Sequence, residues 1–188
     1  MWFLWIVCCL LGLVLLYPYV SAALCRRKSV ERLRDTVRRA GGRLRLLHRF
    51  VALSRNRAKH YDLLIEQGDT LYAVKLWSAK RRGVDLLISS DGLVAEERAD
   101  RDPLSPSPKT RERVIRSAFR PVPKTVTRFA VPEGKRLVRI LLIYPSYRSV
   151  RGYHHMQWVE LGSGDRVFDK LLYSPSAFET LLLSRSES

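Results

Sequence analysis

An acidic and a basic side chain stand where two predicted strands face each other. Asp62 precedes the run Leu63-Leu64-Ile65-Glu66, and Lys75 lies in the run Thr70 to Trp77. The turn residues Gln67-Gly68-Asp69 separate two runs rich in β-forming residues, a pattern that predicts a β-hairpin. The two charges are either ordinary strand-edge residues or the polar groups of a site.

The elements before this hairpin bring more positive charge. Val30, Leu33, Val37 and Ala40 form an apolar stripe that predicts a helix over 29–40, with Ser29 as its N-cap. Gly41-Gly42 is expected to end the helix. The alternation Arg43-Leu44-Arg45-Leu46 opens a predicted strand over 43–53 with one basic face.

Residues 29–77 resemble the core of the PD-(D/E)XK, or restriction-endonuclease-like, nuclease superfamily. The match consists of helix 29–40, Asp62-Leu63-Leu64-Ile65 and Ala73-Val74-Lys75. The resemblance implies two carboxylates that converge on Mg²⁺, which polarises a phosphate and activates a water, and a lysine that stabilises charge or positions that water.

The sequence departs from this pattern at one ligand. Ala73 occupies the position of the second acid, two residues before Lys75, and alanine cannot bind a metal. The resemblance therefore favours a catalytically inactive nuclease-like domain. The alternative is an active nuclease whose second acid has moved to Glu66 or Asp85, and only that alternative needs Mg²⁺ as a cofactor.

Other types of site have little support. No cysteine follows Cys25, which excludes a disulfide framework, a thiol nucleophile and a thiolate metal site from the rest of the chain. His154 and His155 are adjacent, so a strand would point them in opposite directions. His48 and His60 are isolated in the sequence, and no metal site or small-molecule substrate is predicted.

The first 25 residues contain no charged side chain, and Arg26-Arg27-Lys28 follows at once. A helix of this length spans the roughly 30 Å hydrocarbon core of a bilayer. We expect a single transmembrane helix, with the N-terminus outside and the rest of the chain in the cytoplasm, because the flanking positive charge lies on the C-terminal side.

The basic residues are concentrated next to this apolar segment. Residues 26–60 contain thirteen Lys or Arg and only Glu31 and Asp35, whereas residues 61–188 have a net charge of +5. Anionic lipid head groups and nucleic acids both attract such a segment. The predicted anionic-surface residues are Arg26, Arg27, Lys28, Arg38, Arg39, Arg43 and Arg45.

The remaining pattern predicts one α+β (mixed α/β) domain. Strands are expected at 84–89 and at 137–144, the second of them buried on both faces. A hairpin is expected across Gly162–Asp165, and a last helix is expected to begin at a cap formed by Ser174 or Ser176. Residues 98–128, with five prolines and nine basic residues, are predicted to form a long loop with a short strand at 114–119.

The expected organisation follows from these segments. It comprises an anchor over 1–25, a basic juxtamembrane helix and first strand over 26–60, and the rest of the domain over 61–188, in which a central mixed sheet is flanked by helices. The sequence thus favours a single-pass membrane protein that presents a basic binding or scaffold domain. Its expected partners are the bilayer with its anionic head groups, and a nucleic acid or a protein.

Overall fold

The computed structural model describes residues 2–51, 59–79, 84–89, 93–97, 120–121, 125, 129–145, 147–154 and 157–185. These residues form an α+β fold with two helices and eleven strands. The helices are α1 (Trp2–Arg39) and α2 (Pro175–Ser184). The strands are β1 (Arg43–Leu46), β2 (Leu63–Gln67), β3 (Thr70–Ser78), β4 (Val84–Ile88), β5 (Leu93–Glu97), β6 (Arg120–Pro121), β7 (Arg136–Tyr144), β8 (Tyr147–His154), β9 (Gln157–Glu160), β10 (Arg166–Val167) and β11 (Lys170–Tyr173).

Helix α1 is one continuous element, so the predicted helix start at Ser29 is wrong. The Ser29 hydroxyl instead donates to the carbonyl oxygen of Cys25, 3.0 Å away and one turn earlier. The predicted end is confirmed: Gly41 has a positive φ of 68°, and Gly42 N donates to Val37 O at 2.9 Å. This is a Schellman ending, which favours glycine because the capping residue is left-handed.

Within the part of the chain that the structure describes, no helix combines the length and the apolar character needed to cross a membrane.

The first sheet contains the predicted hairpin. Its strand order is β1-β2-β3-β7-β11-β10. Strands β1, β2 and β3 are antiparallel neighbours, and β7 lies parallel to β3 on one side and to β11 on the other. Residues 140–144 of β7 are buried, which confirms the predicted central strand. Strand β1 ends at Leu46, well before the predicted end at residue 53.

A second sheet, with the order β6-β5-β4-β8-β9, was not predicted. Its strand β9 pairs with β8, whereas β10 pairs with β11 of the first sheet. The predicted hairpin across Gly162–Asp165 is therefore wrong. Asp165 Oδ2 does accept a hydrogen bond from Gly162 N at 2.7 Å, but this turn carries the chain from one sheet to the other.

The two sheets and the helices form three layers. Tyr72, Val74 and Ile140 of the first sheet pack with Val37 of α1 and Phe178 of α2 in one core. The alternate side chains of β3 and β7, such as Trp77 and Leu141, pack with Leu86 and Val150 of the second sheet. The expectation that helices flank a single central sheet is corrected: both helices cover one face, and the second sheet covers the other.

The predicted last helix can be compared with the structure, whereas most of the predicted long loop cannot. The predicted last helix is confirmed, and of the two candidate caps, Ser174 and Ser176, Ser174 is the N-cap of α2, since its hydroxyl accepts from Ala177 N at 3.3 Å. Most of the predicted loop 98–128, including the predicted strand at 114–119, lies outside the described residues. Arg120–Pro121 forms β6 and pairs with β5.

Candidate functional site: the Asp62 ion cluster

The hairpin brings Asp62 and Lys75 into direct contact. Asp62 N donates to Val74 O at 2.9 Å, which fixes the start of β2 beside the middle of β3. Lys75 Nζ lies 3.1 Å from Asp62 Oδ2, and neither side chain is exposed to solvent. The two residues are therefore a buried ion pair rather than strand-edge charges.

A second cation reaches the same carboxylate from α1. Arg26 Nη2 lies 2.9 Å from Asp62 Oδ1, and only 2% of the Arg26 side chain is exposed. The guanidinium also lies over the Tyr144 ring, 5.7 Å from its centroid. The prediction that Arg26 belongs to an anionic-surface patch is wrong, because this side chain is buried in the domain.

The burial of Arg26 has a signal in the sequence. Residues 26, 30, 33 and 37 are spaced by four, three and four, so Arg26 continues the apolar stripe of Val30, Leu33 and Val37 by one turn. Those three residues are buried in the core below the first sheet. The helical phase therefore separates Arg26 from its exposed neighbours Arg27 and Lys28.

Two further groups complete the shell around Asp62. His48, which follows β1, places Nε2 3.1 Å from Asp62 Oδ1, and Leu76 N donates to Oδ2 at 2.9 Å. Each carboxylate oxygen thus has two partners, and a carboxylate has about four acceptor positions. We call Asp62, Arg26, Lys75 and His48 the Asp62 ion cluster.

The electrostatics of the cluster are those of one anion shared by two buried cations. Burial alone would raise the pKa of Asp62, but Arg26, Lys75, Leu76 N and His48 together lower it below its ordinary value. Burial lowers the pKa of Lys75, Asp62 opposes that effect, and Arg26 adds to it. The net effect is that the pKa of Lys75 lies below its ordinary value.

His60 gives the cluster the composition of a possible metal site. The ligand atoms of His48, His60 and Asp62 lie within 4.8 Å of one another, and the two imidazole rings meet edge to face at 4.5 Å between centroids. Both histidines are isolated in the sequence, and their proximity to Asp62 was not predicted. The spacing His60-x-Asp62 was the available signal, because an extended chain places such residues on one face.

The chemistry of these donors disfavours Mg²⁺. Two imidazoles and one carboxylate suit transition metals, whereas Mg²⁺ prefers oxygen ligands. A divalent cation would also share Asp62 with Arg26 and Lys75, both within 3.1 Å of its oxygens. The arrangement is therefore best described as an ion-pair centre.

The candidate relocated acids are engaged elsewhere. The Glu66 carboxylate is bound by Lys135, a contact that lowers the pKa of Glu66. Asp85 lies in the second sheet, where Arg148 Nε at 3.0 Å and Ser149 Oγ at 2.8 Å hold its carboxylate. The hydrogen bond from Arg148 is the main reason that the pKa of Asp85 is lowered. Ala73, two residues before Lys75, is buried and offers no ligand atom.

The other predicted anionic-surface residues are exposed: Arg27, Lys28, Arg38, Arg39, Arg43 and Arg45. They do not form one juxtamembrane patch. Arg27 and Lys28 immediately follow Arg26, whereas Arg38 and Arg39 lie at the far end of α1, about 17 Å further along the helix axis. Arg43 also lies at that far end, because it is paired in register with Glu66, near the end of β2.

Comparisons with family models, with curated proteins and with solved structures found no match to this chain.

Proposed function

We propose that this protein is a membrane-anchored binding or scaffold protein whose nuclease-like domain does not catalyse phosphodiester cleavage. The observation that carries this proposal is the saturation of Asp62. Both oxygens of this fully buried carboxylate are occupied by Arg26, Lys75, His48 and the backbone N–H of Leu76. A carboxylate already held by two buried cations stabilises the fold, and their positive charge opposes the approach of a catalytic cation.

The nuclease-like character of the domain is part of the proposal. A helix precedes the hairpin, Asp62 stands directly before β2, and Lys75 lies on β3. These placements agree with the residues on which the resemblance to the PD-(D/E)XK superfamily rests. Metal-dependent cleavage in that superfamily needs a second carboxylate, and Ala73 removes it.

The anchor is proposed from the sequence and from the exposed side chains of α1. Residues 1–25 have no charged side chain. Trp2, Trp5 and Tyr17 are 87%, 73% and 72% exposed, and Leu24 is 52% exposed. A hydrocarbon phase would cover these apolar surfaces at a gain of about 25 cal/mol per Å². The positive charge after residue 25 supports a topology with the domain in the cytoplasm and the N-terminus outside.

Basic side chains supply the proposed binding function. Arg38, Arg39 and Arg43 are exposed where α1 ends and β1 begins, at the end of the domain opposite Asp62, and Arg45 is exposed further along β1, beside Leu64. Their charge is complementary to an anionic macromolecule, and nucleic acid is the partner that we test first.

The test uses the full chain in lipid nanodiscs with single- and double-stranded DNA and RNA, with and without Mg²⁺ or Mn²⁺, over a salt series. We expect salt-dependent binding without cleavage. A variant with Arg38, Arg39, Arg43 and Arg45 changed to Gln should bind less and show a shallower salt dependence, by about 0.7–0.9 per lost phosphate contact.

Two results would contradict this proposal. Mg²⁺-dependent cleavage by the wild-type chain that disappears in an Asp62→Asn variant shown by circular dichroism to be folded would favour the alternative, a membrane-tethered nuclease with a relocated acid. Binding no stronger than that of an empty nanodisc would exclude nucleic acid and leave a protein partner. Protease digestion of sealed cells tests the topology, since the domain should be protected from outside.

A further inference from the structure

The direction of α1 defines which end of the domain faces the proposed membrane. Arg26 of α1 contacts Asp62 at the start of β2. At the other end, Gln67 Nε2 donates to Ala40 O at 3.3 Å. Helix α1 and strand β2 therefore run in the same direction. The end of the domain that contains Asp62 is the one from which the apolar segment 1–25 leaves.

The distance between this end and the bilayer is short. The same helix contains the apolar segment and Arg26, so no loop separates them. Polar head groups occupy roughly 5–8 Å on each side of the hydrocarbon core. One turn of helix covers about 5.4 Å, which places the Asp62 end at the level of the head groups.

The segment 47–51 presents an aromatic residue at this end. Leu47 N donates to Asp62 O at 3.1 Å, and His48 belongs to the Asp62 ion cluster. Val51 is buried, with 3% of its surface exposed. Phe50 lies between His48 and Val51 and is 70% exposed. Among the described residues after the apolar segment, no other large hydrophobic side chain is as exposed as Phe50.

Basic residues accompany Phe50. Arg49 is its neighbour in the chain, and Lys59 adjoins His60, whose ring packs against His48. Both side chains are exposed, as is that of Lys28 at the start of the domain. An aromatic side chain among cations suits the interface of an anionic bilayer, because the ring enters the acyl boundary while the cations meet phosphates.

From this juxtaposition we propose that Phe50, with Arg49 and Lys59, forms a second membrane contact, which docks the Asp62 end of the domain on an anionic lipid surface. The proposal rests on the proposed anchor. The anchor fixes the position of the domain at the bilayer, and the Phe50 contact fixes its orientation, with the basic residues at the far end of α1 directed away from the lipid.

Photocrosslinking of the full chain tests this contact. A benzophenone amino acid replaces Phe50 in one variant and Phe168 in a matched control. Phe168 is also exposed, at 46%, but its turn connects β10 to β11 near the end of the sheet where β7 begins. Both variants are reconstituted in vesicles that contain phosphatidylglycerol, irradiated, and assayed for lipid adducts by mass spectrometry.

We expect at least a tenfold higher yield of lipid adduct from position 50 than from position 168. The yield at position 50 should fall several-fold in pure phosphatidylcholine or at high salt. Equal yields at the two positions, or no lipid adduct at position 50, would overturn the proposal. The proposal would also be overturned by a lipid-adduct yield at position 50 that does not depend on lipid charge. It would equally be overturned if position 50 crosslinked to added single-stranded RNA in preference to lipid.

Alkaline carbonate extraction of the same vesicles separates this contact from the anchor. Protein that stays in the membrane without a Phe50 adduct contradicts only the docking contact. Protein that is extracted contradicts the anchor, and with it the orientation proposed here.

Discussion

Asp62 is the one anion of the Asp62 ion cluster, and it partly neutralises the two buried cations beside it. Arg26 and Lys75 both approach it within 3.1 Å, and all three side chains are buried. Removing one partner from a buried ion pair is far more costly than removing an exposed one, because a charge is left without compensation in a medium of low polarity. With two cations and one anion, the cluster should respond very differently to the loss of Asp62 and to the loss of Lys75.

The first prediction compares these two losses. We expect Asp62→Asn to lower the free energy of unfolding by about 3–5 kcal/mol, because it leaves Arg26 and Lys75 without an anion. Lys75→Met preserves the Arg26–Asp62 pair and replaces the ammonium by an apolar end, so its cost should stay below about 1.5 kcal/mol. Chemical denaturation of the full chain in detergent measures both values. Similar losses in the two variants would show that Asp62 is not the shared counter-ion.

The second prediction concerns pH. The pKa of Asp62 is lowered in the folded protein, so the unfolded chain takes up this proton first as the pH falls. The stability that Asp62 contributes is complete above its unfolded pKa of about 3.9 and is lost as the pH falls through the lower folded pKa. Unfolding free energies measured from pH 6 to pH 2 should therefore decline more steeply in the wild type than in Asp62→Asn. If the unfolding free energies of the wild type and Asp62→Asn declined in parallel with falling pH, Asp62 would not be the source of the acid sensitivity.

At the scale of elements, the fit of α1 against the first sheet depends on close backbone approach after the helix end. A Cβ atom on Gly42 would lie 2.9 Å from the backbone oxygen of Glu66 and 3.1 Å from Val37 Cγ1. This approach lets the chain turn from α1 into β1 while Gln67 still bonds to Ala40. Glycine is required here by space, in addition to the left-handed conformation of Gly41.

The third prediction tests this contact. Gly42→Ala should destabilise the fold by about 1–3 kcal/mol, since the helix or β2 must move to relieve the clash. Gly162→Ala is the matched control, because its Cβ would meet only Asp165 Oδ2 at 3.7 Å, and we expect a change within about 0.5 kcal/mol. Thermal unfolding of the two variants provides the comparison. An unchanged unfolding temperature in Gly42→Ala would mean that the chain around Gly42 has room for a Cβ atom beside Glu66 and Val37.

At the scale of the whole molecule, α1 belongs to two parts of the protein at once. Its first 25 residues are the proposed anchor, and its residues from Arg26 onward form the core with the first sheet and α2. Arg32 Nη2 adds a contact to Glu179 of α2 at 2.7 Å. One continuous helix therefore joins the domain to the proposed anchor, and a fragment of the domain must keep the residues around Arg26.

The fourth prediction follows from this shared helix. A fragment of residues 29–188 lacks Arg26 and should be less stable than a fragment of residues 22–188 by about 2–5 kcal/mol, because a large buried side chain and its ion pair are lost. Arg26→Ala in the longer fragment should reproduce most of this difference. Denaturant titrations followed by circular dichroism measure it. Equal stability of the two fragments would show that Arg26 contributes nothing to the domain.

The sequence by itself determined the local features of this protein. The hairpin around Gly68, the buried strand β7, the last helix and the end of α1 at Gly41 were all predicted correctly, because periodicity and turn residues act over a few positions. The charge distribution and the departure at Ala73 are also properties of the sequence alone.

Only the tertiary structure decided which of these residues meet. Asp62 gains Arg26 and His48 as partners from other elements, and β9 and β10 enter different sheets although one turn joins them. Contacts between residues that are distant in the sequence depend on how the faces of whole helices and sheets pack together. A local sequence pattern does not contain that information. The carboxylate that the sequence offered as a candidate metal ligand is therefore the centre of a buried ion cluster, because the fold places two cations beside it.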